Sequence, residues 1–205
     1  MGITERRQTE IENIKKKIID AANEILISEG YENLSIRKIA EKIEYSPGII
    51  YHYFKDKAEI IKCIVDIGYK NILKKIGTVP VDKENTDKTL ILVLRAYIDF
   101  FLDNPGQFRA ILMNDINEVQ DKVNILEKGI AKKRKSMEKL CELISLCIEK
   151  GKFREMDVEL TAQIIWTSTH GLISRLIIEK DIPEEQKSRL IDHHFEILIN
   201  GLVKY

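Results

Sequence analysis

Proline and cysteine are scarce in this chain of 205 residues, at four and three, and aromatic residues make up only 7% of it. So little proline leaves helices unbroken, and the few aromatics argue against an all-β architecture. The three cysteines, Cys63, Cys141 and Cys147, are an odd number at no metal-ligand spacing, which argues for plain thiols and leaves a redox or metal role as the alternative. Each lies among Ile and Leu on an apparent helix and reads as a buried thiol. No apolar run approaches the ~20 residues of a membrane span. The stretch Met1 to Lys17 is polar and mixed in charge, without the apolar centre of a signal peptide, so a cytoplasmic location is expected.

A charge of one sign is missing too. Lys and Arg total 33, Asp and Glu also 33, and the formal net charge is zero. Residues 1–57 are equally balanced, although 35–57 carry a local excess, five bases to three acids. A general basic surface is therefore excluded, and any nucleic-acid reading must rest on where charges stand. No glycine-rich phosphate loop occurs. The four histidines, His52, His170, His193 and His194, show no metal or nucleophile–base spacing, and adjacent His193 and His194 would point about 100° apart on a helix. Catalysis, metal and cofactor are thus not expected.

Helical periodicity fills the chain, with no strand alternation and no internal repeat. Ile11, Ile14, Ile18, Ala21, Ala22, Ile25 and Leu26 recur at three and four residues. That helix should stop at Gly30, which can take a left-handed cap. Ser35 can cap a short second helix carrying Ile36, Ile39, Ala40 and Ile43. Ser46-Pro47 starts a third, with proline at the first helical position. Asp56 caps a fourth carrying Ile60, Ile61, Ile64, Ile67 and Ile72. Polar, proline-containing Gly77–Asp87 is the linker candidate. Beyond it, helices are expected around Leu90–Phe101, from Asn104-Pro105 to Leu112, and from Leu126 to Gly151. Two more run from Asp157 through Ile177 and from Pro183 through Leu202. The expectation is an all-α fold of about nine helices: a head at 1–57, a bridging helix at 55–76, and a helical domain at 77–205.

A short helix, a tight turn and a second short helix can place the second in the major groove of duplex DNA. Ser35 to Phe54 fits this. Ile36, Ile39, Ala40, Ile43, Ile50 and Phe54 would pack the pair together and against the first helix. Ser46, Pro47, Gly48, Ile49, Tyr51, His52 and Tyr53 are left for the exposed face. Lys57, opening the next helix, adds a charge and a helix N-terminus. For several of these the plainer role stays open: Tyr51 and Tyr53 as core, Arg37 and Lys38 as a solvated face.

The run Gly30-Tyr31, Ser35-Ile36-Arg37-Lys38-Ile39-Ala40 and Ser46-Pro47-Gly48-Ile49-Ile50-Tyr51-His52-Tyr53-Phe54-Lys55-Asp56-Lys57 resembles the TetR/AcrR family of bacterial repressors over residues 10–65. The resemblance implies that Ser35 and Arg37 touch phosphate or base. Pro47, Gly48 and Ile49 would lie nearest the base edges. Tyr51, Tyr53 and Lys57 would clamp the backbone, and His52 would serve either. Because Pro47-Gly48-Ile49 offers no side-chain donor, specificity would come from thymine methyls, Ser46 and DNA shape. The chain departs from the family at Glu44, where a glycine is common in the turn. Glu44 must take a left-handed conformation or shift the turn.

The resemblance also implies a divergent C-terminal domain that dimerises and binds a small molecule. Trp166 to Gly171 resembles the Trp-His-Gly signature of one C-terminal subgroup. Independently, Ile164, Ile165, Leu172, Ile173, Leu176, Ile177 and Ile178 are too many for one stripe, so that helix should bury two sides. A homodimer through the last two helices would bury the second side and place two reading helices roughly 34–36 Å apart or a little more. Mid-helix Gly171, which costs ~1 kcal/mol against alanine, would allow close approach at that seam. Tyr69, Tyr97, Phe101, Phe108, Met113, Trp166, Thr169 and His170 are the pocket candidates for an unidentified apolar or amphipathic effector, with ordinary core as the alternative for each. Such an effector would tilt the bridging helix and release a palindromic operator. Other readings stay open: a helical interaction module with a silent head, an activator, and a chromosome-organising protein of the same fold.

Overall fold

The structure, a computed structural model, describes residues 2–112, 123–179 and 181–204, apart from the side chain of Ile3. These residues form nine α-helices: α1 (Ile3–Glu29), α2 (Ile36–Lys42), α3 (Pro47–Tyr53), α4 (Lys57–Ile76), α5 (Thr86–Asp103), α6 (Pro105–Leu112), α7 (Lys135–Glu149), α8 (Val158–Ile178) and α9 (Glu184–Leu202). No strand occurs among the described residues beyond an isolated antiparallel bridge, Phe153 with Val203. The all-α architecture read from periodicity is the one observed.

The chain divides into two compact units. One takes Met1–Lys70 with Gly106–Val123, the other Asn71–Pro105 with Asn124–Tyr205. The core of the first is built on the 3.6-residue period: Ile18, Ala22, Ile25 and Leu26 from α1 meet Ile39 and Ala40 of α2, Ile50 and Phe54 at α3, and Ile60, Ile61 and Ile64 of α4. Ile36 and Ile43 pack partly buried against it. Caps fix the starts. Ser35 Oγ accepts from Lys38 N at 3.2 Å, and Asp56 Oδ1 accepts from Glu59 N at 2.9 Å. Gly30 ends α1 at φ 82° and ψ 172°. That conformation is essentially reserved for glycine, and it is extended rather than the left-handed helical one expected.

The end of α2 answers the question raised by Glu44. Tyr45 N donates to Ala40 O at 3.0 Å and Glu44 N to Glu41 O at 3.2 Å, the paired bonds of a Schellman cap. Glu44 sits at the position that needs positive φ and adopts 61°. The turn keeps its shape and the residue is strained. At the end of α7 the same two bonds, Lys152 N to Cys147 O and Gly151 N to Ile148 O, close on a glycine at φ 68°. Left-handed strain costs roughly 1–2 kcal/mol for a residue with a Cβ. Glycine's extra freedom in the unfolded chain offsets about 0.5–1 kcal/mol of the relief. Glu44→Gly should therefore stabilise the chain by somewhat under about 1 kcal/mol and raise Tm by ~2 °C, read by calorimetry.

One helix is shorter than the apolar pattern predicts. Leu126 and Ile130 match the period of α7, yet α7 begins only at Lys135, after a 3-10 turn at Ile130–Lys132. Competing bonds from α8 hold the preceding segment out of a helix. Glu159 accepts from Gly129 N at 2.7 Å and Ala131 N at 2.9 Å. Buried Gln163 donates to Ile125 O at 2.7 Å and to Glu127 O at 3.2 Å. Gly129, at φ 82°, makes the bend. The two backbone hydrogen bonds hold the Glu159 carboxyl below its usual range. The linker ends sooner than expected too, since α5 starts at Thr86. Asp82 gathers that turn by accepting from Glu84 N and Asn85 N.

Candidate nucleic-acid interface

The third helix is short, and only one of its faces is occupied. Ile50 is buried within it and Phe54 just past it, whereas Ser46, Pro47, Gly48, Tyr51 and His52 are exposed and Ile49 and Tyr53 half-buried. Tyr51, 59% exposed, stands clear of the core. Tyr53 leans on the core, its ring edge-on to His52 at 5.1 Å. Ser46 caps α3 by position but makes no side-chain cap bond, so its hydroxyl can donate outward. A Cβ at Gly48 would meet only Ser46 Oγ, at 3.7 Å. Folding thus places no demand for glycine there, and an open N-terminus suits close approach to a base edge. Ser35 Oγ is already an acceptor in its cap, which leaves its O–H free to donate to a phosphate oxygen.

The basic residues of the head divide into two sets. On α2 they are engaged: Arg37 with Glu41 at 2.9 Å, Lys38 with Glu29, and Lys42 with Glu24 at 2.9 Å. These exposed pairs are individually weak, so Arg37, with its side chain 84% exposed, can exchange its carboxylate for a phosphate oxygen. Lys57 is handled differently. Its Nζ lies 3.8 Å from the centroid of the Tyr31 ring, an arrangement that orients the ammonium and keeps its charge. Tyr31 belongs to the site through this contact. The Gly30-Tyr31 pair marks its place in the sequence but gives no sign of the role.

The pocket candidates fall into both units. Tyr69 and Phe108 belong to the first. In the second, Tyr97 meets Phe101 edge-on at 5.1 Å, and Trp166 stacks on His170 at 4.6 Å. Phe101 and Phe108 are wholly buried. Thr169 is buried, with its Oγ1 3.0 Å from His194 Nε2. Met113 lies outside the described residues. Burial pushes His194 and His170 below the ordinary imidazole value of 6.5. From 6.5 downward the unfolded chain takes up protons that the folded chain resists, so stability falls as pH drops through that interval and is full above it. Melting followed between about pH 7.5 and 5 should show Tm declining toward acid. His194→Gln, which keeps a partner for Thr169 without titrating, should flatten the decline.

A paired-helix element with an exposed, glycine-bearing N-terminus on its second helix, carried by an all-helical body, defines a DNA-binding transcription regulator. Comparison with known proteins gives the family. Residues 18–64 match the family described as bacterial regulatory proteins, tetR family, and residues 90–199 match the tetracyclin repressor-like C-terminal domain. The chain belongs to the TetR family. Over 192 residues it is 24% identical to the uncharacterized HTH-type transcriptional regulator YobS of Bacillus subtilis, with 92% of each chain covered. It is 22% identical over 196 residues to the fatty acid metabolism regulator protein of the same organism, covering 91% of this chain and 94% of the relative. A TetR transcription regulator from Haloarcula marismortui superposes with a TM-score of 0.75 at 17% identity, over 94% of this chain and 100% of that one. Among the described residues no helix is long and apolar enough to cross a membrane.

Proposed function

We propose that the chain acts as a homodimeric repressor on a palindromic operator and is released by an apolar or amphipathic small molecule bound in the second unit. It has no catalytic role. Bases are read by Ser46, Pro47, Gly48 and Ile49, and the backbone is held by Ser35, Arg37, Tyr51, His52, Tyr53 and Lys57. The observation that carries the reading is the α3 N-terminus, exposed and without a duty in the fold. Two-fold pairing is supported by α8. Leu160, Ile164, Gly171 and Ile178 follow one helical stripe, with Leu160 60% and Ile164 65% exposed. A Cβ at Gly171 would meet nothing within 4 Å, so the glycine has no reason within its own subunit. On α9, Ile197 is 60% exposed. A second copy seated on these faces would bury both and satisfy the mid-helix glycine. The aromatic pairs Tyr97–Phe101 and Trp166–His170 offer apolar surface with a few polar atoms, and the fatty acid regulator among the relatives favours an amphipathic effector.

Selection from random duplexes at two salt concentrations should recover a palindrome whose affinity falls steeply with salt. Ile164→Lys should sediment as a monomer and lose at least about a hundredfold in affinity for that duplex, since one half-site no longer tethers the other. A monomeric wild type, or a variant that binds unchanged, would overturn the dimeric reading. An acyl compound that binds the chain without weakening its hold on DNA would overturn the proposed release.

A further inference from the structure

The first turns of α1 have no part in the core. Residues 4–10 are exposed, Ile11 and Ile14 are half-buried, and Ile18 is the first residue of the helix to be wholly buried. Within this stretch Arg6, Thr9, Glu10, Asn13 and Lys17 recur at three and four residues, so they share one face. That face forms a groove with Tyr45, the residue immediately before Ser46 at the reading end of α3. Neither Arg6 nor Lys17 takes part in an ion pair among the described residues, and neither does any other base of α1, whereas Arg37, Lys38 and Lys42 of α2 are all paired with acids. The uncommitted positive charge of this neutral head is thus concentrated on the first half of α1, beside the end of α3 that enters the groove.

From this we infer that the N-terminal face of α1 is a second DNA contact. Arg6 and Lys17 bind phosphates that flank the bases read by α3, and Asn13 and the Tyr45 hydroxyl donate to the same strand. Glu10, the one acid on the face, weakens the contact and limits affinity for DNA of any sequence. The inference rests on the DNA-binding reading above and goes beyond it. Phosphate contacts set register and add affinity without reading sequence, so removing them should leave the preferred duplex the same.

The test uses the full-length chain and the palindromic duplex recovered by selection. The observable is the slope of log affinity against log salt, which changes by about 0.9 for each phosphate that the protein neutralises. For the double variant Arg6→Ala with Lys17→Ala, the slope should become shallower by roughly 1.8 per head, affinity should fall about tenfold at moderate salt, and the ranking of mutant duplexes should not change. Glu10→Lys should steepen the slope by about 0.9 per head and tighten binding, an improvement that misfolding cannot imitate. Trimming the duplex to the bare palindrome should weaken the wild type and leave the double variant unaffected. Slopes equal to the wild type in both variants, with Tyr51→Ala still impaired, would overturn the α1 contact alone. A wild type that retains no duplex would overturn the DNA-binding reading and this contact with it.

Discussion

Gly48→Glu should reduce operator affinity at least about a hundredfold, or ~2.7 kcal/mol, while leaving Tm unchanged or slightly higher. The two effects separate because the site is open on the protein side. The new Cβ would find only Ser46 Oγ, at an ordinary 3.7 Å. Losing a helical glycine stabilises by about 0.5–1 kcal/mol, and a carboxylate in the first turn of α3 adds ~0.3–1 kcal/mol from the helix dipole. On DNA the same side chain both fills the space through which the backbone approaches the bases and brings a negative charge against phosphates. Gly48→Ala should give a milder loss with a similar rise in stability. Duplex retention measured beside calorimetry on the same preparations decides the matter. Wild-type affinity in the glutamate variant would mean that the α3 N-terminus does not face the base edges.

The parts of this molecule that are legible in the sequence are those whose causes are local. The stripe from Ile11 to Leu26, the Ser35 and Asp157 caps, and Pro47 at the first position of α3 all act within one or two turns. Each appears where it is expected, with Asp157 Oδ1 accepting from Leu160 N at 2.9 Å. What the sequence hides is set by distant partners. Leu126 continues the period of α7, but Glu159 and Gln163, about thirty residues or more further along, take the amides and carbonyls of its segment, and Leu126 ends 71% exposed. The engagement of Lys38 by Glu29 and of Lys42 by Glu24 joins different helices and leaves no trace in spacing. For the reading helix, small and polar residues beside an apolar Ile50 mark the open face in the sequence itself. For the pocket, an aromatic at helical spacing gives the same signal whether it lines a cavity or fills a core, so Phe101 and Phe108 cannot be told from ordinary packing.

Gly106→Ala should destabilise the first unit by about 1–3 kcal/mol, the usual range for forcing a methyl into a packed site, and lower Tm by several degrees. The methyl would lie 2.3 Å from Ile27 Cγ2, 3.0 Å from its Cβ and 3.1 Å from its Cγ1. Ile27 is β-branched and in the last turns of α1, so χ1 has one strongly preferred position. Its Cβ cannot rotate away at all, and relief requires α6 and α1 to separate. Gly68 provides the internal contrast. A Cβ there would meet Ile111 Cδ1 at 2.4 Å, but the next atom, Cγ1, is already at 3.7 Å. The end of a side chain can swing aside, and alanine in mid-helix is favoured by about 1 kcal/mol over glycine, so Gly68→Ala should be nearly neutral. Truncation of Ile27 to alanine should cost little in the wild type, because that side chain is partly exposed. It should recover most of the loss in Gly106→Ala, and a double-mutant cycle should return a coupling of at least about 1 kcal/mol. Equal stability of the two alanine variants, or a cycle without coupling, would mean that α6 is not seated against α1 through this contact.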